Sequence, residues 1–202
     1  RKISKEAPFS EADQLILARF SYLPFPKIKI GAFETIGSIA KKMSLLASED
    51  FCWPDDEEYI KLLRYTKRFA KMRVSHFVRN DDKDLEKQFS AITIHLNFQR
   101  AYLSFFGTDS SINMAVLDKI PAQIEALEYL KRINRRFFWK KLYLGGHSKG
   151  GNVAIFAAIH ASDGIQEKIQ AVYNYDGPGI RKDLVDQDTG SVQVLEKIHS
   201  FV

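Results

Sequence analysis

The sequence predicts an α/β protein: a mostly parallel sheet with flanking helices, preceded by a helical N-terminal region. Three observations carry that expectation. Residues 1–70 show helix-period apolar spacing and helix-start signals. From residue 71 the period changes to strand-like alternation, and the later half reads β-β-β-α-β-α-β, the order that builds a largely parallel sheet with helical crossovers. Within that half, an apolar strand runs into a glycine-flanked serine and on into a helix-forming run, Leu142 to Ala158. The expected organisation is a helical region over residues 1–70 and an α/β core, incomplete at its C-terminal end, over residues 71–202.

In the first region, Ser10 followed by Asp13 marks a helix start, with Leu15, Ile16, Ala18 and Phe20 on its apolar side. Tyr22-Leu-Pro-Phe-Pro26 ends that helix, because proline has no N–H to give and its ring clashes with the preceding turn. Phe33 to Leu46 is a second helical pattern. Pro54, Asp55 and Asp56 open a third, carried by Tyr59, Ile60, Leu62, Leu63 and Tyr65. In the core, Met72, Val74, His76 and Val78 alternate with Arg73, Ser75, Phe77 and Arg79 as a strand, and Asn80-Asp81-Asp82-Lys83 signals a turn. Phe89 to Leu96 and Ala101 to Phe106 read as an antiparallel hairpin across Asn97-Phe98-Gln99-Arg100. Pro121 to Arg136 is an amphipathic helix with Ile124, Leu127, Leu130 and Ile133 three residues apart. Trp139 to Leu144 is a strand, Asn152 to Ala161 a helix, and Ala171 to Tyr175 a strand.

Composition removes several function classes. The single cysteine, Cys52, excludes an internal disulfide and any cysteine-rich zinc site, and no histidine pair has metal-ligand spacing, so no metal and no cofactor is expected. No apolar run approaches the ~18 residues of a membrane span, and no secretory signal is visible, so the expected location is cytoplasmic. The chain begins at Arg1 and carries a net charge of +5. Its basic residues fall into two clusters, Lys61 to Arg79 and Lys131 to Lys141, with two readings: a phosphate-binding surface for nucleic acid or anionic lipid, or solvated helix faces with cations near helix C-termini. No nucleic-acid motif accompanies the charge, so no nucleic-acid partner is expected.

The residues with chemical content are Gly146-His147-Ser148-Lys149-Gly150, a G-x-S-x-G match. The bare pattern is weak; its setting between an apolar strand and a helix is the condition a nucleophile elbow must meet. A tight strand-to-helix turn strains the serine backbone and lifts its hydroxyl above the sheet, while the two glycines let the neighbouring strand and helix come close. The N–H of Lys149 then points where an oxyanion would form, at the positive end of a helix dipole.

With Gly145 ahead of it and Gly-Asn after it, this elbow resembles the α/β-hydrolase superfamily. More narrowly, it is similar to a bacterial family of lipase-like hydrolases, relatives of the class 3 (fungal-type) lipases, in which the elbow reads GHSKGGN. Phe105-Phe-Gly-Thr-Asp109, Ile120-Pro-Ala-Gln123 and Tyr173-Asn-Tyr-Asp-Gly-Pro-Gly179 resemble other stretches of that family, and Tyr22-Leu-Pro-Phe25 is a weaker echo. The resemblance implies Ser148 as nucleophile, the N–H of Lys149 as one oxyanion donor and Thr108 as the second. Two departures stand out. Phe106 replaces the family's arginine, and a G-W-K-E-D stretch expected near Ser111-Ile112 and Asn113-Met114 is absent from the sequence.

A serine needs a base, and the base an orienting acid. In this superfamily the chain order is serine, acid, histidine. Asp176 follows the strand after the elbow and is the acid candidate; its other reading is a turn residue in Asp-Gly-Pro-Gly. Asp183, Asp186 and Asp188 are weaker candidates. Only His199 follows Asp176, in an apolar run that reads as a helix end or strand, and it reads as a core or surface histidine rather than the base. The resemblance places the family's histidine beyond Val202, so the chain is expected to be a fragment. The expected function is a serine hydrolase, esterase- or lipase-like, cleaving a small-molecule or lipid-like acyl ester through an acyl-enzyme at Ser148. The alternative is a catalytically inactive hydrolase-fold binding or regulatory module in contact with anionic membrane surfaces.

Overall fold

The computed structural model describes residues 3, 7–31, 34–82, 87–108, 120–179 and 192–201. Asp183, Asp186, Asp188 and the 110–114 segment lie outside these residues. Helix α1 (Glu11–Arg19) begins as the sequence predicts. The Ser10 side chain accepts from the Asp13 N–H, and the Asp13 carboxylate accepts from the Ser10 N–H at 2.8 Å, a reciprocal capping box. Helix α2 (Ile36–Met43), capped by Thr35, is shorter than the apolar pattern from Phe33 to Leu46. Helix α3 (Asp56–Tyr65) starts two residues after Pro54.

Six strands follow in one sheet, in sequence order: β1 (Arg73–Asp82), β2 (Lys87–His95), β3 (Arg100–Thr108), β4 (Lys141–His147), β5 (Ile169–Tyr175) and β6 (Ile198–Phe201). β1, β2 and β3 pair antiparallel, whereas the β3–β4, β4–β5 and β5–β6 joins are parallel. The sheet is therefore mixed, with three of its five joins parallel. Each parallel join is a crossover, and each antiparallel join is made by adjacent strands, as expected when connections are short. Helix α4 (Pro121–Arg136) has the bounds that the sequence predicts. Helices α5 (Lys149–Ile159), α6 (Asp163–Gln166) and α7 (Val192–Leu195) complete the described elements.

The strands alternate their side chains between two apolar layers. Phe89, Ala91, Leu103 and Phe105 pack with Leu130, Ile133, Val153 and Ala157 of α4 and α5. Ile92, Ile94, Val74 and Tyr102 pack with Leu17, Ile36, Ile39, Met43 and Leu63 of the N-terminal helices. Polar ties fix α1 to the sheet: the Ser104 hydroxyl donates to the Leu17 carbonyl at 2.8 Å, and the Tyr102 hydroxyl to that of Gln14 at 3.2 Å. Arg68 closes the N-terminal layer by an ion pair with the buried Asp13. The result is a three-layer α/β arrangement with helices on both sheet faces, consistent with an α/β-hydrolase-like fold.

The strand read from Met72 to Arg79 forms, with one difference. The β1–β2 register slips between Ser75 and Val78, and His76 takes φ 54°. A bulge inserts an unpaired residue that a period-2 reading cannot detect.

Candidate active site

Ser148 stands between the last residue of β4 and the first residue of α5, with φ 49° and ψ −129°. A non-glycine residue there is strained by roughly 1–3 kcal/mol, and such strain persists only where surrounding structure over-determines it. Here the surrounding contacts are backbone. The Ser148 N–H donates to the Tyr175 carbonyl at 2.7 Å, and its carbonyl accepts from Gly151 at 2.9 Å. The turn is tight enough that α5 begins at Lys149 rather than at Asn152, where the sequence pattern starts it. Helix propensity disfavours the two glycines at Gly150 and Gly151, so periodicity alone misses the first turn.

Close approach explains the flanking glycines. A Cβ on Gly146 would lie 2.3 Å from the Gly150 carbonyl carbon and 2.6 Å from the Phe105 carbonyl oxygen. One on Gly150 would lie 2.3 Å from that same oxygen. The motif thus lets β3, β4 and the first turn of α5 meet backbone to backbone. Neither glycine has a positive φ; the left-handed strain falls on the serine itself.

The sequence-predicted residues fall as follows. Lys149 is the first residue of α5, so its N–H lies in the turn where the helix dipole favours negative charge. Thr108 ends β3, the strand beside β4, paired with Gln88. Ser148, Lys149 and Thr108 therefore share the carboxyl edge of the sheet, where ligands of open α/β sheets bind. Asp176 lies at the same edge, one residue past β5, exposed, at φ 53°, its N–H donating to the Phe201 carbonyl at 2.7 Å.

His199 is not brought to the serine. It lies mid-strand in β6, exposed, its ring stacked 5.1 Å from that of Tyr173. Register places it beside Tyr173, which in turn faces Gly145 on β4. Two strand spacings, about 10 Å, therefore separate it from β4. His160 stacks on Phe156 at the far end of α5, and His76 and His95 lie on β1 and β2. Among the described residues no imidazole is hydrogen-bonded to the Ser148 hydroxyl.

The residues around the elbow include several that sequence reasoning missed. The Tyr22 hydroxyl donates to the His147 carbonyl at 2.6 Å. Its ring meets Phe106 edge-on at 4.6 Å, Trp53 at 5.0 Å and His147 at 5.8 Å. Burial pushes the Tyr22 phenol well above its usual range, so it stays a neutral donor. Phe106, where the resemblance expects arginine, is thus a packing partner of Tyr22. Trp53 is held from behind: Arg19 lies over its ring at 4.8 Å and pairs with Asp55 and Asp56, and the Asp56 carboxylate accepts from the Trp53 N–H at 2.9 Å. The tyrosine of the Tyr22-Leu-Pro-Phe25 echo was the one available signal.

Two amides lock the far side. Asn152 on α5 donates to the carbonyls of Pro178 and Gly179 and accepts from Gln123 at 2.9 Å, joining α5, the segment after β5 and the first turn of α4. Asn174 donates to the Gly177 carbonyl at 2.9 Å and packs against Gly151. The Nδ1 of His147 and the Oδ1 of Asn174 are buried without a hydrogen-bond partner among the described residues. No group of three or more histidine, cysteine or acidic residues placed to hold a metal occurs among the described residues. No described helix is long and apolar enough to cross a membrane.

A comparison with curated proteins finds no significant match. Among solved structures, the chain is similar to an M37 lipase, at 12% identity and a TM-score of 0.48, covering 95% of this chain and 66% of that one. It is similar to lipase II from Rhizopus niveus at 12% identity and a TM-score of 0.37, covering 84% and 64%. It is also similar to a mutant form of MDLA from Penicillium cyclopium, at 15% identity and a TM-score of 0.39, covering 78% and 57%. The chain spans less than two thirds of the length of each. The Mbeg1-like family model matches residues 63–202, from the end of α3 through all six strands and the elbow. The chain accordingly belongs to the Mbeg1-like family.

Proposed function

We propose that this chain is a lipase-like serine hydrolase in which Ser148 attacks the carbonyl of an acyl ester. The observation that carries the reading is the backbone of Ser148, at φ 49° and ψ −129° between β4 and α5. That conformation costs energy and serves no packing purpose that glycine would not serve better, whereas it presents a hydroxyl at the helix N-terminus. The Ser148 Oγ bonds to the carbonyl carbon and the oxyanion settles against the N–H groups of Lys149 and Thr108. The alcohol departs with the proton that leaves Ser148, and water then releases the acid from the acyl-enzyme. Asp176 is the acid in this reading. The half-apolar wall of Tyr22, Trp53 and Phe106 beside the elbow suits an acyl chain or another lipid-like group.

One observation favours a second reading. Among the described residues, the Ser148 hydroxyl has no imidazole partner, as expected of a hydrolase fold that binds an ester without turning it over. A fluorophosphonate probe separates the two. A hydrolase adds one probe mass at Ser148, and Ser148→Ala abolishes the addition. A folded full-length protein that stays unmodified over hours removes the hydrolase reading and leaves the binding module.

A further inference from the structure

The two basic clusters of the sequence, far apart in the chain, meet at one cavity. Lys67, Arg68, Lys71 and Arg73 come from the first, and Arg136 and Lys140 from the second; together they line a space of about 700 Å³. No carboxylate lines it among the described residues. The cavity is lined by Asn97 and Phe98, just ahead of β3, and by Lys140, just ahead of β4, whereas Ser148 follows the carboxyl end of β4. Seven residues of strand at about 3.3 Å each put the two places roughly 20 Å apart.

The cavity wall carries polar groups suited to an anion. The β1 bulge aligns the Ser75 hydroxyl with two imidazoles, 2.8 Å from the His95 Nε2 and 2.8 Å from the His76 Nδ1. Burial and the neighbouring cations hold both rings toward the neutral form, His95 down to about 4. Lys140 is buried; its ammonium donates to the carbonyls of Asn97 and Phe98, both at 2.6 Å, and meets no carboxylate there. Arg68 is already paired with Asp13, outside the lining. Met72, Val74, Leu96 and Phe137 make an apolar part of the wall.

Like charges converging on a concave wall repel one another, and a dianion placed among them relieves that repulsion. We propose that this cavity binds a phosphate monoester, its phosphate among the cations and its organic part against the apolar wall. The site is separate from the serine and independent of what the serine does. A phosphate monoester can arrive as a soluble molecule or as the headgroup of an anionic phospholipid. Phe98, exposed at 77%, is part of the lining; Trp139 (41%) stacks on it at 5.9 Å and Phe138 (65%) meets Trp139 edge-on, and in the second case this exposed aromatic group would enter a bilayer interface.

The test uses the whole chain. Inorganic phosphate and glycerol 3-phosphate are titrated calorimetrically, and phosphatidylcholine vesicles with and without phosphatidic acid are co-sedimented, all at about 0.15 M salt, where exposed charges beyond about 8 Å are screened. Two double variants carry the same charge change: Lys71→Glu with Arg136→Glu in the cavity, and Lys41→Glu with Lys61→Glu outside it. All four side chains are exposed. Saturable binding to a soluble monoester, or to vesicles only when they carry phosphatidic acid, is expected and identifies the source. The cavity variant weakens it about tenfold or more, as the loss of charge-assisted hydrogen bonds does. Absence of binding to every probe overturns the proposal, and so does binding that both double variants weaken equally.

Discussion

Gly146→Ala tests whether the elbow is held by backbone proximity. The added Cβ would lie 2.3, 2.5 and 2.6 Å from the Gly150 carbon, the Gly150 oxygen and the Phe105 oxygen. All three partners are backbone, so no side chain can swing away, and relief requires α5 to move off β3 and β4. That motion loosens Val153, Ala154 and Ala157, which are fully buried. The cost therefore lies at or above the upper end of ordinary overpacking, about 3 kcal/mol. For a chain of this length that corresponds to a fall of roughly 6–12 °C in Tm. Gly164→Ala is the internal control: nothing lies within 4 Å of its would-be Cβ, and it sits in the first turn of α6. It should gain about 0.4–1 kcal/mol by restricting the unfolded chain. Urea denaturation followed by circular dichroism reads both. A Gly146→Ala protein within about 0.5 kcal/mol of wild type, the range of an ordinary surface change, would refute the close-packing account.

Three further outcomes are expected. Ser148→Gly should be more stable than Ser148→Ala by about 1 kcal/mol, because glycine accepts φ 49° without strain; equal urea midpoints would mean that the turn stores none. His95 ties stability to pH: its folded value is pushed down from 6.5 to about 4, so the unfolded chain binds the extra proton between those values. Stability is then present above about 6.5 and lost as pH falls toward about 4, with His76 adding to the same slope, and thermal melts of His95→Gln should show a shallower decline over that window. Asp13→Ala removes the carboxylate partner of the partly buried Arg68, which keeps its bonds to the Ala7 and Pro8 carbonyls, and removes the α1 capping box, costing about 2 kcal/mol or more; a loss below about 0.5 kcal/mol in chemical denaturation would show the pair to be idle.

What the sequence disclosed tracks the range of the forces involved. The capping box at Ser10 and the helix from Pro121 to Arg136 are set by neighbours three or four residues away, and local pattern finds them. The hairpin across Asn97 to Arg100 pairs as read. The bulge at His76 escaped, because its carbonyl is taken by the Tyr129 hydroxyl of a helix that sequence periodicity cannot place against β1. Trp139 and Lys140, read as strand, form the approach to it instead: the Lys140 N–H turns back to the Phe137 carbonyl, and β4 starts only at Lys141. At the site, the motif located Ser148 and Lys149, and the strand pattern put Thr108 at the same edge. Tyr22 and Trp53 were invisible as neighbours of the elbow, since the hydrogen bond from Tyr22 to His147 spans 125 residues of chain. Asp176, outside any strong local pattern, lies one residue past β5, and its side chain is exposed.

The amide of Ser148 is bonded to the end of β5, not to its own helix, and the Ser148 carbonyl is taken by Gly151. Such a turn cannot fray by itself: releasing that proton to solvent means parting two central strands. Deuterium should therefore reach position 148 only through opening of the whole sheet, while the first turn of a helix ordinarily exchanges early. Chemistry carried out there would begin from one fixed backbone position, and adjustment to a bound molecule would fall to the serine side chain and to the aromatic wall contributed in part by the N-terminal segment.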